Sequence, residues 1–316
     1  EISCSLVGSE MCIRDRLTTD HLCKNYGHFK ALNQCSMHVP RGAIYGFVGK
    51  NGAGKTTLIR LICGLQRPTS GSYRLYGSEN TDKKILEAQR RIGAVVETPS
   101  IYVDMTAEEN MKEQYYVLGL PSFEGIPQIL KLVGLEDAGK KKAKDFSLGM
   151  RQRLGIAIAL AGKPDLLVLD EPTNGLDPQG IVEMRELILK LNRERQITVL
   201  ISSHILDELS RVATHYGFID KGTIVKEITA EELENTCRKC VKLQVTDTAV
   251  LAHILDKRSL EYEILSDTQA NVYGELVVSD IVLELAEQNC RMFSVQEYEE
   301  SLESYYLNLV GGGKYE

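Results

Sequence analysis

This 316-residue sequence has no run of about 20 apolar residues, the length a membrane-crossing helix needs. Its longest uninterrupted apolar stretch, Leu154 to Gly162, predicts a buried helix instead. A chain of this kind needs a separate partner if its work is at a membrane. No segment with a basic start and an apolar run, the pattern of a secretory signal, is visible. The eight cysteines are scattered, which predicts a reducing, cytosolic setting. Cys237 and Cys240 form one close pair, but no second CxxC or HxxxH supplies the other two ligands of a zinc site, so ordinary thiols are expected.

Positive charge is also not in excess. Lys and Arg number 37 against 44 Asp and Glu, a net charge of −7. Residues 238–316 hold 7 basic and 14 acidic side chains, and residues 1–237 hold 30 of each. A neutral body has no bulk attraction for nucleic acid, so no nucleic-acid partner is expected. Hydrophobic residues at 43% and charged residues at 26% fit a globular protein of one large or two ordinary domains.

Residues 1–16, EISCSLVGSEMCIRDR, show no sustained period and resemble translated sequencing-adapter read-through. They are read as a non-native leader and set aside, together with Cys4 and Cys12. From Leu17 onward, short β-like runs alternate with helical ones. Ala43–Val48, Ile92–Glu97, Leu166–Asp170 and Ile197–Ser202 read as strands. Thr56–Leu65, Met105–Leu118 and Ile126–Leu135 read as helices. The alternation predicts an α/β fold with a mainly parallel sheet buried on both faces.

The composition changes near Glu234, and a second domain is expected over 237–316, after a first over 17–236. Val241–Val245, Glu261–Leu265, Asn271–Val278 and Met292–Val295 read as its strands, with helices over Thr248–Leu255 and Asp280–Gln288. That order, βαββαβ, predicts a small α+β ferredoxin-like module. A last helix near Glu299–Leu309 places Leu302, Tyr305, Tyr306 and Leu309 on one face and ends at Gly311-Gly312-Gly313.

The strongest motif is Gly49-Lys50-Asn51-Gly52-Ala53-Gly54-Lys55-Thr56, the G-x-x-x-x-G-K-[ST] phosphate loop, which follows an apolar strand and opens a helix. Backbone N–H groups of Gly49, Asn51, Gly52, Ala53 and Gly54, continuing into Thr57, would converge on a polyphosphate at the positive end of that helix. Lys55 would reach the outer phosphates and the Thr56 hydroxyl would meet Mg²⁺. A glycine-rich turn can also be empty of ligand, but Lys and Thr at these offsets favour the phosphate reading. Leu166-Leu167-Val168-Leu169 then ends in Asp170-Glu171. At the carboxyl end of a buried strand, Asp170 is placed for the metal and Glu171 for a base acting on the attacking water.

Between these motifs lies Phe146-Ser147-Leu148-Gly149-Met150-Arg151-Gln152-Arg153, which resembles the LSGGQ-x-QR signature of ATP-binding-cassette (ABC) ATPases. About Leu17–Asn235 resembles one complete P-loop NTPase nucleotide-binding domain of that family. The resemblance implies ATP and Mg²⁺ as ligands. Tyr26 falls where an aromatic stacks on adenine, Glu97 at the Q-loop glutamine, Asn174-Gly175-Leu176-Asp177 at the D-loop and His204 at the switch histidine. It further implies that Ser147 and Gly149 meet the γ-phosphate of an opposite domain, with Asp177 at the seam. A homodimer or paired ABC ATPase is therefore expected, powering a separately encoded transmembrane permease from the cytoplasmic face of the membrane.

The sequence departs from that pattern at Lys50, Leu148, Met150 and Glu97, where proline, glycine, glutamine and glutamine are usual. Glu97 adds a carboxylate expected near the metal. The phrases Glu97-Thr98-Pro99 and Phe146–Met150 resemble the bacitracin- and lantibiotic-immunity branch, whose cargo is a peptide antibiotic. The alternatives are a DNA-maintenance ATPase, a translation factor and an ATP-binding regulator with little turnover. The 92 residues from Lys55 to Ser147 hold no sustained heptads, against the first. A single phosphate loop speaks against the second, and Glu97 leaves the third open.

Overall fold

The structure, a computed structural model, describes residues 15–236, 239–274, 276–298 and 302–311. Most of the expected leader, with Cys4 and Cys12, lies outside the described residues, as do Cys237, residues 299–301 and Gly312-Gly313. The chain divides into two units, Glu1–Ala230 and Glu231–Glu316, a few residues before the division expected at 236/237.

The first unit opens with a hairpin of β1 (Asp15–Tyr26) and β2 (Phe29–Pro40), then β3 (Ile44–Val48) and helix α1 (Lys55–Ile62). β1 starts at Asp15, ahead of Leu17: Asp15 pairs with Pro40, and the Arg16 carbonyl accepts from the Tyr76 N–H at 3.0 Å. β4 (Ser70–Leu75) and β5 (Ser78–Glu79) join the hairpin in an antiparallel sheet of order β2-β1-β4-β5. Next come α2 (Ile85–Gln89), β6 (Ile92–Val95), α3 (Ala107–Val117), α4 (Ile126–Leu132) and α5 (Leu148–Leu160). β7 (Leu166–Asp170), α6 (Pro178–Arg195), β8 (Thr198–Ser203), α7 (Leu206–Ser210), β9 (His215–Asp220) and β10 (Thr223–Thr229) complete it, and α8 (Ala230–Thr236) spans the division.

The main sheet has the order β10-β9-β3-β8-β7-β6, parallel from β9 to β6 with β10 antiparallel at the edge. Every residue of β3, β7 and β8 is buried, the pattern of strands covered on both faces. Leu17, Leu22, Leu32 and Met37 of the hairpin pack with Leu58, Ile59, Leu61 and Ile62 of α1 and with Tyr45, Phe47 and Val168 of the sheet. Each such side chain contributes about 1.5–3 kcal/mol relative to exposure. This core clamps α1, and with it the loop that precedes α1, against the sheet.

The second unit runs β11 (Cys240–Val245), α9 (Thr248–Lys257), β12 (Glu261–Ser266), β13 (Gln269–Tyr273), α10 (Val278–Glu287), β14 (Met292–Tyr298) and α11 (Leu302–Gly311). Its antiparallel sheet has the order β12-β13-β11-β14, the ferredoxin-like arrangement of a βαββαβ chain. Leu243, Val245 and Val272 of the sheet meet Leu251, Ile254 and Leu255 of α9 and Ile281 and Leu285 of α10. The strand expected over Asn271–Val278 stops at Tyr273, because Gly274 takes φ +98° and Val278 already begins a helix. α11 begins at Leu302 and keeps Tyr306 buried. No described helix is long and apolar enough to cross a membrane.

A phosphate-loop site at the ends of three parallel strands

β3, β8 and β7 are neighbours, and Val48 is in register with Ser203 as Asp170 is with Ser202. Their carboxyl ends therefore bring Gly49, Asp170-Glu171 and Ser202-Ser203-His204 side by side. α/β folds place ligands at such strand ends. Local chemistry sharpens the turn after β3. A Cβ on Gly49 would sit 2.7 Å from the Ile219 carbonyl oxygen and side chain, and Gly54 at φ +111° leads directly into α1. The Gly222 N–H donates to the Ala53 carbonyl at 2.9 Å, tying the loop to the β9–β10 turn.

Lys55 is only 5% exposed. Its Nζ donates to the carbonyls of Gly49 at 2.7 Å and Lys50 at 3.3 Å, and lies 3.2 Å from Glu171 Oε1. The other oxygen of Glu171 lies 3.0 Å from His204 Nδ1. The structure thus brings three expected residues, Lys55, Glu171 and His204, into one cluster. Glu171 itself has φ +50°, a left-handed conformation that costs an ordinary side chain about 1 kcal/mol or more.

Ser202 holds that conformation. Its carbonyl and Oγ both accept from the Glu171 N–H, at 3.2 and 3.0 Å, while its hydroxyl donates to Asp170 Oδ1 at 2.6 Å. Asp170 is 3% exposed, and its Oδ2 is buried with no hydrogen-bond partner. Burial first, and the Asp170 charge second, push the nearby Cys63 thiol up to about 12. An orphaned carboxylate oxygen at the mouth of a phosphate loop is the donor a hard cation or its bound water would take, so the residues fit Mg²⁺. Among the described residues no three His, Cys, Asp or Glu side chains are grouped to hold a metal. The fit is to a metal completed by phosphate and water.

Ser147 is the N-cap of α5 and accepts from the Met150 N–H at 3.2 Å. Asp177 caps α6 through the Gly180 N–H at 3.0 Å, with Pro178 at the first helical position. A Cβ on Gly149 would meet Leu176 at 3.8 Å, and one on Gly175 would meet Leu148 at 3.2 Å, so signature and D-loop lie against each other within the chain. Tyr26 ends β1, 43% exposed, with its hydroxyl on Gln66 at 2.5 Å and the Lys24 ammonium 5.3 Å from its ring centre.

Glu97 is held against α1. Its φ is +62° and its carboxylate lies 2.5 Å from Arg60 of α1; among the described residues no hydrogen bond or ion pair joins it to Asp170 or Glu171. The adjacent guanidinium takes up the carboxylate expected beside the metal. Two positioning residues went unmarked. Ser202 carried a signal, a hydroxyl at the end of an apolar strand. Arg60 carried none, since its partner is 37 residues away.

A family model described as ABC transporter matches residues 32–174. The chain is 43% identical to the bacitracin transport ATP-binding protein BcrA of Bacillus licheniformis over 299 residues, covering 94% of this chain and 97% of that one. It is 43% identical to the lantibiotic transport ATP-binding protein SrtF of Streptococcus pyogenes over 219 residues, 69% of this chain and 93% of that one. Among solved structures it resembles the dimeric structure of MJ0796, a bacterial ABC transporter cassette, with a TM-score of 0.61 and 25% identity over 68% of this chain and 98% of that one. The chain belongs to the ABC transporter ATP-binding proteins, on the side of the family that holds the bacitracin and lantibiotic ATP-binding subunits. Within that class it is an ATPase subunit, binding and hydrolysing ATP for a transporter.

Proposed function

We propose that this subunit drives export of, or immunity to, a peptide antibiotic through a separately encoded permease, working as a dimer on the cytoplasmic face of the membrane. The observation that carries the proposal is the Lys55–Glu171–His204 cluster beside the orphaned Asp170 oxygen. The cargo class rests on the two relatives, named for bacitracin and lantibiotic transport. The paired state rests on the dimeric cassette it resembles.

The mechanism follows from what each group now holds. Without nucleotide, Lys55 is neutralised by Glu171. A γ-phosphate entering the loop is a stronger, multiply charged partner for Lys55 and draws it off the carboxylate. Glu171 is then free to orient and deprotonate the attacking water, while His204, already beside it, meets the same phosphate. Backbone N–H groups of Gly49, Asn51, Gly52, Ala53, Gly54 and Thr57 cradle the phosphates, and Tyr26 stacks on adenine. Thr56 and Asp170 would hold Mg²⁺, which would supply charge neutralisation to the phosphates. Ser147 and Gly149 of the opposite copy close over the γ-phosphate at a helix N-terminus, with Asp177 at the seam.

The test is to co-purify the subunit from membranes with its permease and measure ATPase activity alone, with the permease, and with bacitracin-like or lantibiotic peptides. Stimulation by permease and peptide, with raised peptide tolerance in cells carrying both genes, is expected. ATPase activity indifferent to both, with unchanged tolerance, overturns the cargo assignment. ATP binding with no turnover under any condition favours the regulatory reading instead.

A further inference from the structure

A cavity of about 310 Å³ opens where α3 and α4 meet the end of α5, the last turns of α6 and the entries to β7 and β8. Ile129 and Leu132 of α4, Leu160 of α5, Leu191 of α6 and Ile197 before β8 form its apolar wall. At roughly 30 Å³ per water, it holds about ten water-sized groups, the lower end of small-molecule sites. It lies at the amino ends of β7 and β8, whose carboxyl ends carry the ATP site.

One polar group in the wall lacks a partner. Tyr115 is 5% exposed, yet its hydroxyl makes no hydrogen bond among the described residues. A Cβ on Gly125, which lines the same cavity, would lie 2.6 Å from that hydroxyl. A buried tyrosine hydroxyl ordinarily has a partner, and an unmet one is costly. Burial raises the phenol's pKa, so it stays protonated and can donate to an anion.

The mouth is positively charged. Lys163 and Arg195 line it, both exposed, and neither side chain has a hydrogen bond or ion pair among the described residues. The one carboxylate in the described lining, Asp165, is taken by Arg91, whose Nε donates to it at 2.8 Å. The neighbouring Glu194 lines a separate groove. The carboxyl ends of α5 and α6 bring about half a negative charge each, less than the two cations supply. Apolar walls, an unmet donor and a net positive mouth together select the ligand.

We infer that this cavity binds a small amphipathic anion. An apolar body of about eight carbons packs on the leucines and isoleucines, and a carboxylate meets Lys163, Arg195 and the Tyr115 hydroxyl. Leu160 lines the cavity at one end of α5, and Ser147 caps the other end of the same helix. A bound anion therefore braces α3 and α4 against the far end of the helix that presents the signature. The site takes neither nucleotide nor transported peptide, and it does not depend on the cargo assignment.

The experiment titrates the full chain with octanoate by isothermal calorimetry near neutral pH, beside 1-octanol, octylamine and acetate. Octanoate should bind with one site per chain and a Kd below about 1 mM, and the other three at least tenfold more weakly. Lys163→Glu with Arg195→Glu, both at exposed positions, should lose octanoate at least tenfold and bind octylamine instead. Tyr115→Phe should weaken octanoate about threefold or more without lowering the melting temperature of the ligand-free chain, because it deletes an unmet hydroxyl. No saturable octanoate binding at millimolar concentration overturns the proposal, as does equal binding of 1-octanol or octylamine by wild type. Unchanged octanoate affinity in either variant, or a destabilised ligand-free Tyr115→Phe chain, also overturns it. ATP affinity measured on the same samples reads the phosphate loop and should stay at the wild-type value, so the two sites can fail independently.

Discussion

Ser202→Ala tests how the site is held. The serine is fully buried and reaches two functional groups at once, donating to Asp170 at 2.6 Å and accepting from the Glu171 N–H at 3.0 Å. Alanine removes a hydrogen bond to a buried carboxylate, worth about 1.5–3 kcal/mol. It leaves the Glu171 N–H with the Ser202 carbonyl at 3.2 Å, so the second loss is small. Asp170 would then carry two unpartnered oxygens, since Oδ2 already has none. A loss of about 2–3 kcal/mol lowers the melting temperature of a unit this size by about 4–12 °C. Glu171, held at φ +50° with one acceptor fewer, loses its aim, and a misplacement near 1 Å costs about 100-fold in rate. Differential scanning fluorimetry and a steady-state ATPase assay read both effects. A melting temperature within a degree of wild type and a rate within twofold would refute the claim that Ser202 positions the two carboxylates.

Gly54→Ala should abolish nucleotide binding and destabilise the fold. It places a Cβ 2.7 Å from the Ala31 carbonyl at a φ of +111°, and isothermal titration with ATP would register the loss. At the far end of the sheet, Glu227 meets the His38 backbone N–H at 2.8 Å, its ring at 3.2 Å and the Tyr45 hydroxyl at 2.6 Å. Burial pushes the Glu227 carboxyl up, but the bonds from His38 and Tyr45 outweigh it and leave it below its ordinary value of about 4.5. The Glu227 bond raises His38 above about 6.5. Stability from Glu227 is present above pH 4.5 and fades as pH falls through its folded value. Stability from His38 is full below pH 6.5 and fades as pH rises through its own. The advantage of wild type over His38→Gln in urea melts should therefore shrink as pH rises above about 6.5, and a pH-independent difference counts against the pair.

The parallel sheet was legible because strands buried on both faces read as short apolar runs: Leu166–Leu169 is one, and it delivers Asp170 and Glu171 to the ligand end. The phosphate loop was legible because its chemistry demands fixed residues at fixed offsets. The hairpin β1–β2 and strands β4 and β5 were not marked. β1 carries Thr, Asp, His and Lys among its apolar positions, and shifts of register with β2, including one beside His21 at φ +46°, break the alternation. Glu97 was expected near the metal from the resemblance to the Q-loop alone; its observed partner, Arg60, lies on a helix distant in sequence. The second unit's strand order followed from its βαββαβ pattern, while its open edge at β14 became visible only with the sheet assembled.

The central claim is that Glu171, released from Lys55 by the γ-phosphate, is the base that hydrolyses ATP. Single-turnover hydrolysis by Glu171→Gln, with ATP affinity measured in parallel, tests it most directly. The account predicts ATP bound at least as tightly as in wild type, because Lys55 loses its competing carboxylate, with hydrolysis slowed by about 100-fold or more. Hydrolysis at the wild-type rate with intact binding would contradict it.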